Sequence, residues 1–165
     1  MSSEVDDLAE PLDPDVDLRV PAQRRELVYS RAPVLGVIAL GGGLGAVARH
    51  GLGLLLPTRP GQLPWGTFTA NVAGCFLIGV LMVLITDVWS THRLVRPFLG
   101  VGILGGFTTF STYAVEIRSL LHPGTVGVAF AYLVGTLIGA LLAVIAGVWL
   151  TRAVAGSARD PERTV

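Results

Sequence analysis

Apolar and polar positions fall along this chain in blocks far longer than any helix face or strand alternation. Four stretches, at 32–56, 65–86, 98–121 and 126–150, carry almost only apolar and small residues. A bilayer-spanning helix needs roughly 20 such residues at about 1.5 Å rise each. The pattern therefore predicts an all-α membrane protein with four transmembrane helices. The connections "PTRPGQLP", "DVWSTHRLVRP" and "HPGT" are short and rich in turn-forming Pro and Gly. They leave no room for a soluble catalytic domain. Residues 1–31 read as a polar N-terminal tail, 32–150 as the membrane domain and 151–165 as a polar C-terminal tail. The stretch "MSSEVDDLAEPLDPDVD" holds seven acids and no base, and the residues after it are basic. Such a segment buries too little apolar surface to fold alone, so the leader is expected to be disordered. The first span follows too long a polar stretch to be a signal peptide.

Composition supports the membrane reading and narrows the rest. The chain is 52% hydrophobic and 15% charged, where soluble domains carry about 25% charged residues. Net charge is zero, which gives no reason to expect a nucleic-acid partner. Every basic residue apart from histidine is arginine. The single cysteine, Cys75, lies inside the second span, so an intramolecular disulfide is impossible.

Polar groups inside spans are costly, which makes them candidates for function. Arg49 lies in the second half of span 1 and Asn71 in span 2. Span 3 carries Thr108, Thr109, Ser111 and Thr112 interleaved with Phe110 and Tyr113, and continues to Glu116. Tyr132 and Thr136 share one face of span 4. Each has a plain reading as well: an interhelical hydrogen bond for Asn71, a snorkelling side chain for Arg49, packing for the rings. Together they suggest a polar path through a small bundle. Its groups are donors: an amide NH2, hydroxyls and a guanidinium. Aromatic ring edges carry partial positive charge, and no carboxylate sits at the centre. That chemistry favours an anion. The glycines of "LGGGLGAVARHGLG" suit close helix packing in lipid; lying inside a span with no preceding strand, they do not form a phosphate-binding loop.

Three motifs, "GGGLGAVARH", "GTFTANVAGCFLIG" and "GILGGFTTFSTYAVE", resemble the signatures of the Fluc (CrcB) fluoride channels in their order and spacing, across residues 32–150. The resemblance implies passive export of fluoride from the cytoplasm, which lowers intracellular fluoride. It implies antiparallel dimers of four-helix subunits with two pores. It places Asn71 on a pore, with Phe110 and Tyr113 as the rings whose edges meet fluoride, and Ser111, Thr112, Tyr132 and Thr136 along the route. Arg49 would stand at the mouth. It also implies a structural sodium ion between subunits, held by backbone carbonyls of Gly105 and Thr108 where span 3 is broken. A glycine pair there would free carbonyls from the helical ladder, and irregular backbone is tolerated at that depth when protein buries it.

Some positions depart from the family pattern. Tyr113 stands where phenylalanine is usual, Cys75 where serine or alanine is more common, and His50 where an aromatic is frequent. Because only a ring edge is asked to act, phenylalanine at 113 should serve as well. A small four-helix multidrug exporter is the first alternative, but it needs a membrane-embedded carboxylate to carry protons, and Asp87 and Glu116 lie near span ends. A non-transporting membrane scaffold explains the glycines but not Asn71 or the hydroxyls. Enzyme chemistry finds no nucleophile–base pair or ligand cluster. With four spans, nine arginines fall on the face shared by the tails and the 87–97 connection, while Arg59 and Arg118 fall on the other. Arginines in short loops stay cytoplasmic, so both tails are expected inside the cell, with the spans in the plasma membrane. This bias suits a heterodimer with an oppositely oriented paralogue; the family also forms homodimers, and both remain open.

Overall fold

The computed structural model describes residues 21–88 and 93–157, all helix and connecting turn among the described residues. Four helical stretches are long and apolar enough to span a bilayer: Ala32–Leu55, Trp65–Asp87, Pro97–Leu120 and Val126–Ala155. They match the sequence expectation within a residue or so, except that the fourth continues further. Large apolar side chains are exposed on every span, among them Leu40, Val47, Trp65, Val101, Leu141 and Trp149. Helices apolar all round belong in lipid. The chain is a multi-pass membrane protein.

Helix α1 spans Pro21–Leu55 and α2 spans Trp65–Val83, prolonged by a π-helical turn over Leu84–Val88. The third span has two arms. Its leading arm is π-helical over Pro97–Leu104 and runs into the short helix α3, Gly105–Phe107; its trailing arm is α4, Ser111–Leu120. Helix α5 spans Val126–Ser157. Both helical ends extend into stretches that read as tails. The helix already begins at Pro21, a residue suited to a first helical position, and runs through Ala, Gln, Arg, Glu and Leu, which favour helix once the span beyond has nucleated it. Similarly, α5 continues past residue 150, where Arg152 Nε lies 3.5 Å from Asp87 Oδ2. The expected disorder of the leader at 1–20, and residues 158–165 of the C-terminal tail, lie outside the described residues.

Two interfaces hold the bundle. Helix α1 packs along the leading arm of the third span, and α2 packs along α5. Both use glycine as a contact surface. Gly41 and Gly45 of α1 face Gly102 and Gly106 four residues apart on the leading arm, so the backbones touch. A Cβ on Gly41 would stand 2.6 Å from the Phe98 carbonyl oxygen, and one on Gly106 would strike Gly42 O. Between α2 and α5, a Cβ on Gly79 would strike Val144 O and one on Gly147 would strike Phe76 O. This is the small-xxx-small packing that replaces hydrophobic collapse inside a membrane. The buried residues outside these seams include Ala129, Leu120 and Tyr132, which pack where α4 crosses α5.

The third span is broken, but not by its glycine pair. Gly105 and Gly106 remain helical, and the chain becomes extended at Thr108 (φ −81°, ψ 158°) before α4 restarts. The glycine at 106 serves close approach to α1. The break falls at Thr108–Phe110, where a partner on another helix takes over the backbone hydrogen bonds.

Candidate ion pathway at the helix break

That partner is Asn71. Its Nδ2 donates to the Thr109 carbonyl at 2.9 Å, and the Thr109 N–H donates to its Oδ1 at 2.8 Å. The amide side chain thus imitates a strand neighbour and satisfies both polar groups of the residue at the centre of the break. In the unbroken ladder the Thr109 N–H would reach Gly105 O, so the diversion to Asn71 frees that carbonyl. The close fit of α2 depends on Gly74, where a Cβ would strike the Thr108 methyl.

The hydroxyls of the motif divide into distinct tasks. Thr108 Oγ1 donates to Leu104 O at 2.9 Å and completes the end of the leading arm. Thr109 Oγ1 accepts the Thr112 N–H at 3.3 Å and donates to Thr112 Oγ1 at 3.1 Å. This is how an N-cap side chain receives an otherwise orphaned donor of the first helical turn. Ser111 is exposed, with its Oγ 3.4 Å from Thr109 Oγ1. The N-terminus of α4, where the helix dipole is positive, therefore opens at membrane depth beside Phe110.

Two hollows flank the break. The first, about 770 Å³, is mostly apolar and is lined by Asn71, Cys75, Gly105, Thr108, Thr109, Phe110, Tyr113 and Thr136 together with aliphatic side chains. Phe110 is 79% exposed and projects from the single chain. Its ring lies 5.9 Å from that of Tyr113, tilted by 51°. Tyr113 in turn meets Tyr132 edge-on at 5.1 Å. Thr136 is 5% exposed, and its hydroxyl has no protein partner. The second hollow lies on the other side of α4 and is the more polar of the two, bounded by Arg49, His50, Thr67, Thr112 and Glu116 among others. Arg49 Nη1 stands 3.4 Å from Thr112 Oγ1, a long contact that leaves most of the guanidinium's donors available.

Most of the residues singled out in the sequence therefore gather at one place. Asn71, Gly105, Thr108, Phe110, Tyr113 and Thr136 line the first hollow; Arg49 and Thr112 line the second; Ser111 lies exposed at the start of α4. Tyr132 is different: it is fully buried behind Tyr113, with its hydroxyl donating to Glu116 Oε2 at 2.7 Å. Thr67 Oγ1 donates to the other carboxylate oxygen, Oε1, at 2.8 Å. Thr67 was not among the expected site residues, and Glu116, named in the sequence as a polar group of span 3, was given no part in the expected route. The readable signal for Glu116 was its acidity, because a carboxylate within a span needs partners.

The Tyr113 hydroxyl also has a task. It donates to the Leu133 carbonyl of α5 at 2.8 Å and clips the ring to that helix. Such a bond contributes about 0.5–1.5 kcal/mol, while the ring contacts do not depend on it. Tyr113→Phe should lower the thermal midpoint measurably and keep its ion flux within a few-fold of the parent. A collapse of flux with unchanged stability would show that the hydroxyl meets the ion.

Fold and site together define a small membrane protein built around a discontinuous helix, with donors and no free carboxylate gathered at the discontinuity among the described residues. The chain belongs to the CrcB family: the family described as "CrcB-like protein, Camphor Resistance (CrcB)" matches residues 36–148. Similar proteins include one named "Fluoride-specific ion channel FluC 2" from Streptomyces avermitilis, 57% identical over 125 residues (76% of this chain, 79% of the relative). One of the same name from Nocardia farcinica is 57% identical over 126 residues (76% and 90%). "Fluoride-specific ion channel FluC 1" from Streptomyces coelicolor is 52% identical over 137 residues (83% and 89%).

Proposed function

We propose that this chain is a fluoride channel that lets the ion leave the cytoplasm passively. The observation that carries the reading is the helix break pinned by Asn71 beside the Phe110–Tyr113 ring pair, in a chain 57% identical to a protein named as a fluoride-specific channel. A small, strongly hydrated anion can shed water only where other donors replace it. Asn71 uses one amide hydrogen on Thr109 and keeps a second for the ion. The ring edges add partial positive charge, and the α4 N-terminus adds a favourable dipole. Thr136 offers a hydroxyl, and Arg49 draws anions to the polar hollow. Neutral HF enters cells, ionises at cytoplasmic pH and is trapped, so a passive conduit is sufficient for export.

The exporter alternative finds little support. The carboxylate of Glu116 is held by Thr67 and Tyr132, and Asp87 lies beside Arg152 at the end of the bundle.

The working unit we propose is an antiparallel dimer in the plasma membrane, made with a second copy or with an oppositely oriented paralogue. The tails lie in the cytoplasm, as the distribution of nine arginines against two favours. A sodium ion at the break is supported by two observations: the Gly105 carbonyl has lost its ladder partner, and a Cβ built on Gly105 would meet nothing within 4 Å. Carbonyls of Gly105 and Thr108 would hold it, as hard oxygen donors suit a hard cation. When bound, it would neutralise carbonyl dipoles where two subunits meet. Purified protein in fluoride-loaded liposomes should discharge fluoride when a potassium ionophore balances charge, and should leave chloride behind. Equal chloride leak, no leak, or a rate that follows the sodium gradient would each defeat this reading.

A further inference from the structure

Charge at the tail end of the bundle is matched on one seam and unmatched on the other. Helix α1 begins at Pro21, well before its apolar span starts at Ala32. That extension carries Arg24, Arg25 and Arg31 with one acid, Glu26. The turn before the third span carries Arg93 and Arg96, both exposed and neither with an ion-pair partner among the described residues. The glycine seam sets the register of the two groups. Helix α1 and the leading arm run side by side in the same direction, because Gly41 meets Phe98 and Gly102 while Gly45 meets Ile103 and Gly106. Followed back along the seam, that register brings Arg31 level with the turn that holds Arg93 and Arg96. At the same end of the α2–α5 seam, Arg152 lies 3.5 Å from Asp87. Arginines at span ends set orientation in any membrane protein, but that role does not require them to collect over one seam.

We propose that Arg31, Arg93 and Arg96 hold the headgroup phosphate of an anionic phospholipid across the ends of α1 and the third span. All three stand next to the ends of apolar spans, where the headgroup layer adds roughly 5–7 Å on each side of the hydrocarbon core. Guanidinium forks match phosphate oxygens two at a time. Arg24 and Arg25 lie further out along α1, and they add attraction that reaches about 8 Å through physiological salt. A zwitterionic headgroup offers the same phosphate but carries a cation that the arginines repel. A lipid gripped from both helices would clamp the α1 seam from outside. Neither the site nor the clamp depends on which ion the protein conducts.

The test immobilises the full chain by an affinity tag in neutral detergent and offers phosphatidylglycerol and phosphatidylcholine in equal amounts. Mass spectrometry of the eluted lipid gives the ratio retained. An arginine near an anionic surface contributes about fivefold in affinity, so the parent should favour phosphatidylglycerol by about tenfold or more. Arg93→Gln combined with Arg96→Gln should lose most of that preference. Arg59→Gln combined with Arg118→Gln removes the same charge from the opposite end and should keep it. Raising salt from about 0.1 M to about 1 M shortens the Debye length from about 10 Å to about 3 Å and should lower the parent's ratio. Phosphatidylglycerol should also raise the thermal midpoint of the parent but not of the Arg93 and Arg96 double variant. A parent ratio near one would overturn the site, and it is the result expected if the acidic stretch at 4–17 occupied these arginines instead. Equal losses in the two double variants would also overturn it, because attraction would then follow net charge alone. Preferential binding with no rise in midpoint would overturn the clamp.

Discussion

Gly45→Ala should prevent the stable docking of α1 against the leading arm of the third span, whereas Gly43→Ala, two residues away, should be harmless. A Cβ at position 45 would strike Ile103 O and would stand 2.8 Å from Phe107 N and 3.0 Å from Gly106 C, all backbone atoms. No rotamer can relieve a clash with main chain, so the helices must separate. Overpacking in a close-packed interior costs about 1–3 kcal/mol even where side chains can adjust, and separation would also forfeit the contacts made by Gly41, Gly42 and Gly106 on the same seam. A Cβ on Gly43 meets nothing within 4 Å. Alanine there should be neutral or slightly stabilising, because it improves helix propensity by up to about 1 kcal/mol. Thermal unfolding of both variants in detergent, with the yield of folded protein, makes the comparison. Equal midpoints for the two would mean that the backbone contact at position 45 does not hold the seam.

The parts of this architecture that the sequence reveals are those set by local composition. Four apolar blocks of sufficient length leave no other solution in a bilayer, and the glycine-dense runs announced close helix contact before any partner was known. A broken third span was also legible, because hydroxyls and glycines crowd together where lipid would favour plain leucine. Its place, near Gly105–Thr108, was legible as well; its cause was not. Gly105 and Gly106 have the residue type that loosens a helix, yet the extended residue is Thr108, because the decisive hydrogen bonds come from Asn71, 38 positions earlier. A long-range pairing of that kind has no local signature. Helical phase was equally hidden for Tyr132 and Thr136. Both lie on the same side of α5, but Tyr132 is sealed behind Tyr113 with Glu116 as its partner, and only Thr136 reaches the hollow.

Asn71→Ala should abolish fluoride flux while leaving the bundle assembled. Alanine removes both hydrogen bonds to Thr109 at once and leaves a half-buried N–H and C=O with no partner. Each unpaired group costs about 1–3 kcal/mol, so the break is no longer the favoured local structure. Without the bridge the segment 108–110 loses the contact that fixes it, so Phe110 and the α4 N-terminus are no longer held beside the hollow. The glycine seams of α1 and α5 lie elsewhere and should keep the fold together, so the variant should elute from a sizing column as the parent does. Asn71→Asp separates two roles of the amide. Aspartate can still accept from the Thr109 N–H, but it cannot donate to the Thr109 carbonyl or to an anion, and it places negative charge where the ion must pass. It should therefore hold part of the break and conduct no better than alanine. Hydrogen exchange at the Thr109 amide distinguishes the two variants. It should speed up by about tenfold or more in Asn71→Ala and change less in Asn71→Asp. Parent-like flux in Asn71→Ala would show that the pathway does not depend on the bridge between α2 and the broken helix.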